Sequence, residues 1–368
     1  MNSATDVFII GGGPAGLAAA IAARRKGFDV TLADLAAPGA DKACGEGVLP
    51  EGVAALRRLG IEIPESESCA FRGIRFLAGG VVAEASFDGG FGAGIRRTAL
   101  HALLAARAAE RGVRLLWNTP VTGIAPDCAF LRDGRVLAHW IIATDGGRSR
   151  VRGWMGLDPR TAPAGRYGVR RHFRASGWTD FVEVYWGREA QFYVSRAAAD
   201  EVCVVLISRQ PGLRIETALP DFPELAARLR GAEAASTSRG ALTCPLRLPR
   251  VYRECWALLG DASGSVDAIS GQGLTLAFLQ AEALAEAIGA GDLSLYRAAH
   301  RRIMRRPALI SRLLLALADR PQMRSRVLRI LSDEPRLFAR LLAAHAGTAS
   351  AAESTLGGLH LGWRLLAS

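Results

Sequence analysis

No two of the six cysteines, at positions 44, 69, 128, 203, 244 and 255, form a C-x-x-C pair. That scatter argues against a cysteine metal knot or a disulfide framework and for reduced thiols. Lysine is nearly missing as well, since 44 of the 46 basic residues are arginine. No apolar run reaches the roughly 18 residues that a bilayer-spanning helix needs. Residues 7–23 imitate the apolar core of a secretory leader, but the flank "MNSATD" carries no Lys or Arg. The expected location is therefore cytoplasmic. No Ser/His/Asp arrangement and no metal-ligand spacing stands out, and the six histidines are dispersed. The net charge of +11 has no nucleic-acid-binding module around it, so no nucleic-acid partner is expected.

What is present points to a folded chain. Half of the 368 residues are hydrophobic and 22% are charged, which suits a globular protein of two interleaved domains. The charge is concentrated: residues 296–346 hold twelve arginines against Asp319, Asp333 and Glu334, a surplus of nine. The opening segment "DVFIIGGGPAGLAAAIAARRKGFDVTLAD" reads as strand, glycine turn, helix, strand. Gly11, Gly13 and Gly16 make G-x-G-x-x-G. The first glycine permits the tight turn, the second lets backbone approach a pyrophosphate, and the third lets helix and strand pack closely. With Pro14 and Ala15 they form the expected phosphate-binding turn, whose helix start favours anions. Asp34 ends the second strand and is placed to accept from ribose hydroxyls. A 2′-phosphate would be repelled there, so the expected nucleotide has a free ribose.

A second signal lies late in the chain. "GDASGSVDAISGQGLTLAF" carries Asp261 and Asp267, then Gly271 and Gly273 before a helix. A nicotinamide enzyme has no use for this, whereas FAD extends across its domain and needs a second contact region. Asp261 is suited to ribityl hydroxyls or the pyrophosphate edge. The glycine backbone and helix start suit negative charge on the flavin ring.

With these motifs in order, the chain resembles the flavoprotein superfamily of class A flavin monooxygenases, flavin halogenases and geranylgeranyl reductases. "IIATDGGRSRVR" resembles its D-G motif at Asp145 and Gly146, and "LLGDASG" its G-D motif at Gly260 and Asp261. By the same resemblance Arg97 is the FAD-contacting arginine and Val121 the strand residue beside adenine. "DKACGEGVLP" resembles the C-G loop of the geranylgeranyl reductases, which lies beside the flavin and here holds Cys44, Gly45 and Glu46. The chain departs from the pattern in places. Ala268 stands where the family usually has proline, which implies a less rigid loop, and Leu35 replaces a common basic residue. The halogenase W-x-W-x-I-P signature is absent. Of the reductases' Y-x-W-x-F-P only Tyr185 and Trp186 have counterparts.

The resemblance implies an α/β fold. Its core is a Rossmann-like, para-hydroxybenzoate-hydroxylase-like FAD-binding domain over 1–75, 93–160 and 245–295. An inserted antiparallel substrate sheet takes 76–92 and 161–244, and a helical segment takes 296–368. Prolines 307, 321 and 335 are expected to divide residues 296–346 into about three helices, with Ile310, Leu313, Leu314 and Leu317 on one apolar stripe. Cys44 and Glu46 are the candidate catalytic residues, and Tyr185 and Trp186 the candidate substrate-binding ones. The expected activity is FAD-dependent oxygen insertion into an aromatic or lipophilic substrate through a flavin hydroperoxide. Reduction of isolated polyprenyl double bonds and a non-catalytic electron-transfer role are the alternatives. No second G-x-G-x-x-G opens a helix after Asp34. NAD(P)H is therefore expected as a transient donor, with Arg148, Arg150 and Arg152 as phosphate contacts, unless a separate reductase supplies the electrons. The basic C-terminal helices make peripheral membrane association a further expectation.

Overall fold

A computed structural model describes residues 2–159 and 165–367; the expected boundary at 160–161 lies outside the described residues. The first layer is a parallel sheet in the order Trp256–Leu258, Gly134–Ala143, Asn2–Ile10, Val30–Ala33, Arg114–Leu116. Val7, Phe8 and Ile9 have no exposed surface, because helices and loops cover both faces, as a parallel sheet requires. A hairpin of Val121–Ala125 and Cys128–Leu131 adds to the strand Gly134–Ala143. The helix Pro14–Arg25 starts at the glycine turn with proline in its first turn.

Two of those glycines admit no other residue. Gly11 has φ +112°, and a Cβ on it would lie 2.7 Å from the Thr144 carbonyl carbon. A Cβ on Gly16 would lie 1.9 Å from the Gly11 carbonyl oxygen. The helix therefore sits directly on the first strand.

The second sheet runs Arg239–Thr243, Arg166–Arg174, Glu201–Ser208, Ala190–Ala198, Phe181–Trp186, Gly73–Ala78, Val81–Ser86. All its pairings are antiparallel except that between Phe181–Trp186 and Gly73–Ala78. Strict alternation divides its side chains. Tyr185, Phe192, Val202, Val204 and Leu206 pack with Ile215, Phe222, Leu225 and Leu229 of the short helices on one face. Val184, Trp186, Tyr193, Val205 and Ile207 face the interior of the molecule.

The helices Leu293–Ala318, Pro321–Asp333 and Pro335–Ala346 roof that inner face. Pro321 and Pro335 open helices as expected, but Pro307 lies inside a continuous 26-residue helix. A proline there costs about 3 kcal/mol, and tertiary bonds on both sides of it hold the axis. Arg306 donates to the carbonyls of Ala344 (3.3 Å) and Ala349 (3.2 Å). Ser311 Oγ accepts the Asp267 N–H at 3.1 Å. Asp267 is itself buried, ion-paired to Arg166 and bonded to the Ile269 N–H, and so ties the late glycine loop to the second sheet. That loop is held in another way as well. The Ala268 N–H donates to Thr243 Oγ1 at 3.0 Å, a bond that the family's usual proline has no hydrogen to make.

The start of the long helix carries a pH-sensitive contact. His300 is buried, 2.9 Å from Ser263 Oγ and edge-on to Tyr296. Burial pushes its pKa down to about 4 from 6.5. Between those values the unfolded chain binds the extra proton, so stability is fully present above about pH 6.5 and falls toward pH 4. For His300→Gln, which cannot titrate, the denaturant-derived loss between pH 7 and pH 5 is expected to be smaller than in the parent by about 2 kcal/mol. Identical losses in the two proteins would count against this.

Candidate functional site

The two layers enclose one cavity of about 2520 Å³. Ordinary ligand clefts run to about 300–1000 Å³, so this one has room for a dinucleotide and a second long molecule. At one end its wall is made by Gly11, Gly13, Pro14, Ala15, Asp34, Arg97, Val121, Asp145 and Gly146. Gly260, Asp261, Gly271 and Gly273 continue the same wall. Every motif read as cofactor-binding thus meets at one lumen.

Local bonds explain how these residues are held. Asp34 accepts the Gly12 N–H and the Ala36 N–H (2.7 Å), which leaves lone pairs of both carboxylate oxygens for a ligand. His101 accepts the Gly39 N–H at Nδ1 (3.3 Å) and so donates from Nε2 to the Gly12 carbonyl (2.9 Å). Burial lowers its pKa, in keeping with a neutral ring pinning the glycine turn. Asp145 is a helix cap, accepting from Ser149 Oγ (2.6 Å) and from the Arg150 and Val151 N–H groups. Arg152 was read as a phosphate contact, but it is buried and committed elsewhere. It bonds the Ala262 and Gly147 carbonyls and Asp158, and so joins the D-G turn to the G-D turn. Arg148 and Arg150 are exposed at the cavity. Asp261 faces the lumen, yet it is set deep enough among protein atoms that desolvation raises its pKa against the lowering field of Arg97.

These residues fit FAD. A helix start without side-chain bulk faces the lumen for a pyrophosphate, and a strand-tip carboxylate with no basic neighbour after it suits a free ribose. Asp261 and the Gly271–Gly273 backbone stand further along the same wall for the ribityl and ring.

Between this end and the apolar lobe lies the loop holding Cys44, Gly45 and Glu46, all three on the cavity wall. Glu46 is 2% exposed and has φ +57°, in the left-handed region. Its Oε1 accepts the Arg97 N–H at 3.1 Å, and its Oε2 lies 2.6 Å from His172 Nε2. His172 Nδ1 faces the guanidinium of Arg170 at 3.0 Å and that of Arg96, so Nδ1 accepts and Nε2–H donates to Glu46. Arg170, fully buried, is paired in turn with Asp41. The Gly45 carbonyl accepts from Ser195 Oγ at 2.9 Å, and the Cys44 carbonyl from Cys203 Sγ at 3.6 Å.

Glu46, His172 and Cys203 are close enough to suggest a metal centre, which the dispersed histidines of the sequence gave no reason to expect. The surroundings oppose one. Two guanidinium groups face the imidazole, and burial pushes the Cys203 thiol well up, in its protonated form. Sequence reading had no signal for His172 as the partner of Glu46, because 126 residues separate them.

The two aromatic candidates part company. Trp186 lines the cavity, but Tyr185 does not reach it. As neighbours on one strand they point to opposite faces, and the Tyr185 hydroxyl donates to buried Glu183 at 2.7 Å within the outer core. The apolar lobe is lined by Ile74, Phe76, Val184, Trp186, Leu314 and Leu328 among others, and Ile310, Leu313 and Leu317 of the expected stripe face it too.

Comparison with known proteins agrees with this geometry. The FAD binding domain family matches residues 4–232. A menaquinone reductase of Mycolicibacterium smegmatis is 33% identical over 162 residues, 41% of this chain and 40% of that one. A menaquinone reductase of Mycobacterium tuberculosis is 27% identical over 345 residues, covering 80% of this chain and 79% of its own. A digeranylgeranylglycerophospholipid reductase of Methanosarcina acetivorans is 27% identical over 325 residues, covering 80% and 78%. Among solved structures, a geranylgeranyl bacteriochlorophyll reductase-like protein of Thermoplasma acidophilum superposes with a TM-score of 0.79 at 20% identity, over 91% of this chain and 93% of that one. That last likeness speaks for the fold alone. With a family match over most of the dinucleotide end and a lumen built to its chemistry, the chain belongs to the FAD binding domain family and is an FAD-dependent oxidoreductase.

Proposed function

We propose that the protein reduces isolated carbon–carbon double bonds in a long isoprenoid chain. The observation that carries this is the continuity of the cavity: the dinucleotide end opens past the Cys44–Glu46 loop into a lobe lined by aliphatic and aromatic side chains. The relatives' names support it, since menaquinone and digeranylgeranylglycerophospholipid both carry long isoprenoid chains and both proteins are called reductases. Oxygen insertion, favoured by the sequence alone, is named for similar solved structures such as a p-nitrophenol 4-monooxygenase of Pseudomonas putida, whose 18% identity speaks for the fold alone.

FAD held by Gly11, Gly13, Asp34 and Asp261 would, when reduced, be the source of the hydride. The chain's own residues do the rest. The apolar lobe orients the isoprenoid and excludes water. Cys44, on the loop between the two ends, carries a thiol proton for one carbon of the double bond. Glu46 acts through that loop. Both its oxygens are engaged, so it is a positioning residue and not a free acid. With the protein photoreduced under strict anaerobiosis and mixed with a prenyl substrate, the expected outcome is flavin reoxidation and a product richer by two hydrogens. Reoxidation only after an air pulse, with a product richer by one oxygen, would decide for a monooxygenase.

The loop's dependence on Glu46 has its own measurement. Glu46→Ala strands the Arg97 N–H and the Nε2–H of a buried imidazole, and each stranded buried donor costs about 1–3 kcal/mol. Thermal melts of the FAD-loaded protein are expected to show that loss, together with faster flavin release. Glu46→Gln, still an acceptor for one of the two donors, is expected to fall between Ala and the parent. Wild-type melting in the Ala variant would remove the proposed role.

The isoprenoid also needs a way in. Leu309 and Leu313 both line the cavity and stand more than half exposed. Leu356, Leu359, Trp363 and Leu366 on the helix Ala351–Ala367 are also more than half exposed. Exposed Arg305 and Arg312 lie at helical spacing on either side of Leu309, an arrangement suited to an anionic membrane surface at about 1 kcal/mol per basic group. The protein is expected to sediment with anionic liposomes at low salt, less at high salt, and little with neutral ones. Negligible pelleting under all conditions would leave these helices as a structural cap.

A further inference from the structure

The wall of the apolar lobe holds a cation without a counter-ion. Arg324, on the helix Pro321–Asp333, is only 7% exposed. Its guanidinium lies 5.7 Å from the Trp186 ring centre, and Nη1 donates to the Ala318 carbonyl at 3.3 Å. Among the described residues no carboxylate lies within ion-pair distance of it. Desolvation lowers its pKa, the mark of a buried cation without electrostatic compensation.

Two more donors stand beside it. Trp186 and Gln191 face each other across the hairpin, so their side chains leave the same side of the sheet. The Trp186 indole N–H and the Gln191 amide NH2 are buried and have no hydrogen-bond partner among the described residues. Arg324 lines both the main cavity and an adjoining one of about 560 Å³, which Gln191 and Arg166 also line. The carboxylates of that smaller cavity, Glu189 and Asp319, are exposed, and Asp319 is already bonded to Arg209 at 2.9 Å.

Arg324 faces both spaces, with the Trp186 N–H at the main cavity and the Gln191 amide at the smaller one. The acceptor of this set, Gln191 Oε1, is already taken by Arg166 at 3.1 Å, and these donors define the ligand's chemistry. A hydroxyl or carbonyl oxygen leaves the cation uncompensated, whereas an oxyanion both neutralises it and accepts several bonds. We propose that Arg324, Gln191 and Trp186 form a subsite for a phosphate-type oxyanion at the head of the isoprenoid substrate, whose tail occupies the apolar lobe. The isoprenoid part rests on the function proposed above; the oxyanion part rests on these donors alone.

The test uses the FAD-loaded protein, reads binding from the flavin's fluorescence, and follows reduction of the ligands in a separate anaerobic assay. Geranylgeranyl diphosphate and geranylgeraniol share a tail and differ in the head. The parent is expected to prefer the diphosphate by about 10- to 100-fold. In Arg324→Gln the diphosphate's affinity should fall to that of the alcohol. Inorganic diphosphate is expected to compete with the prenyl diphosphate and not with the alcohol. Should it bind while the parent shows no preference between the two prenyl ligands, the subsite takes a free anion and the assignment to the substrate's head is overturned. Equal affinities without that binding overturn the subsite altogether. A parallel loss of both affinities in the variant would make Arg324 a structural pin and also overturn it. If Arg324→Gln does not fold, Gln191→Leu, close in volume, should lower the preference severalfold, and an unchanged preference there counts against the subsite. A preserved preference for the diphosphate with no reduction of either ligand would count against the reaction and leave the subsite standing.

Discussion

One buried carboxylate joins the halves of this molecule. Glu46 takes a backbone N–H from the first turn of the helix Arg97–Glu110 with one oxygen and the His172 imidazole with the other. The first partner belongs to the dinucleotide layer and the second to the strand Arg166–Arg174 of the second sheet. A charge at 2% exposure persists only where bonds replace its hydration. Here they come from a peptide N–H and from an imidazole whose far side is set by Arg170 and Arg96. The loop must also enter the left-handed region at Glu46, a conformation of the kind that surroundings have to over-determine. These demands together place Cys44 on the lumen wall between the nucleotide end and the apolar lobe.

The lumen is the second consequence of how the layers meet. The alternation of a β-strand gives the second sheet one face for a sealed core and one for the cavity. Glu183 and Tyr185 go outward into a network with Arg228 and Trp178. Val184 and Trp186 go inward. The C-terminal helices close the space, and their packing on Ala83, Ala85 and Phe87 keeps them over the sheet's edge. The lobe under this roof is lined mainly by aliphatic and aromatic side chains, whereas at the nucleotide end turns are bonded to turns. Such a distribution suits a rigid grip on a cofactor and a greasy, adaptable pocket for a chain.

What the sequence made legible was local. The glycine turn, the strand-end Asp34, the D-G turn and the late G-D turn each encode their own backbone geometry within a few residues, and they line one cavity. Their contact with one another through Arg152 was hidden, since an arginine after a D-G turn reads equally well as a phosphate ligand. His172 was hidden for the same reason: a histidine in the arginine-rich strand Arg166–Arg174 says nothing of the carboxylate 126 residues earlier. Tyr185 was misplaced because a two-residue window does not tell which face of a strand is inner. Pro307 was misread as a break because local cost was weighed without the bonds from Arg306 and Ser311 that offset it. Ala268 illustrates the reverse, a departure from a familiar pattern that works because the freed N–H has a partner in Thr243.

The arginine surplus of residues 296–346 does two physically distinct things. Most of these side chains are partly or fully exposed, where hydration and salt reduce each to a small contribution. They also cover apolar helix surface with their stems. Arg324 differs in kind, because its charge has been taken out of water with, among the described residues, a carbonyl and an aromatic face in return. A cation–π contact recovers roughly 0.5–2 kcal/mol, less than the several kcal/mol that desolvating an ion costs. The folded chain therefore carries a local deficit at the lobe's wall, beside unpaired donors of Trp186 and Gln191. A deficit of this sort is relieved when a ligand supplies the missing acceptor, and binding then stabilises the folded state as it satisfies the donors. Net charge alone, counted along the sequence, has no means of separating this one arginine from its neighbours; burial does.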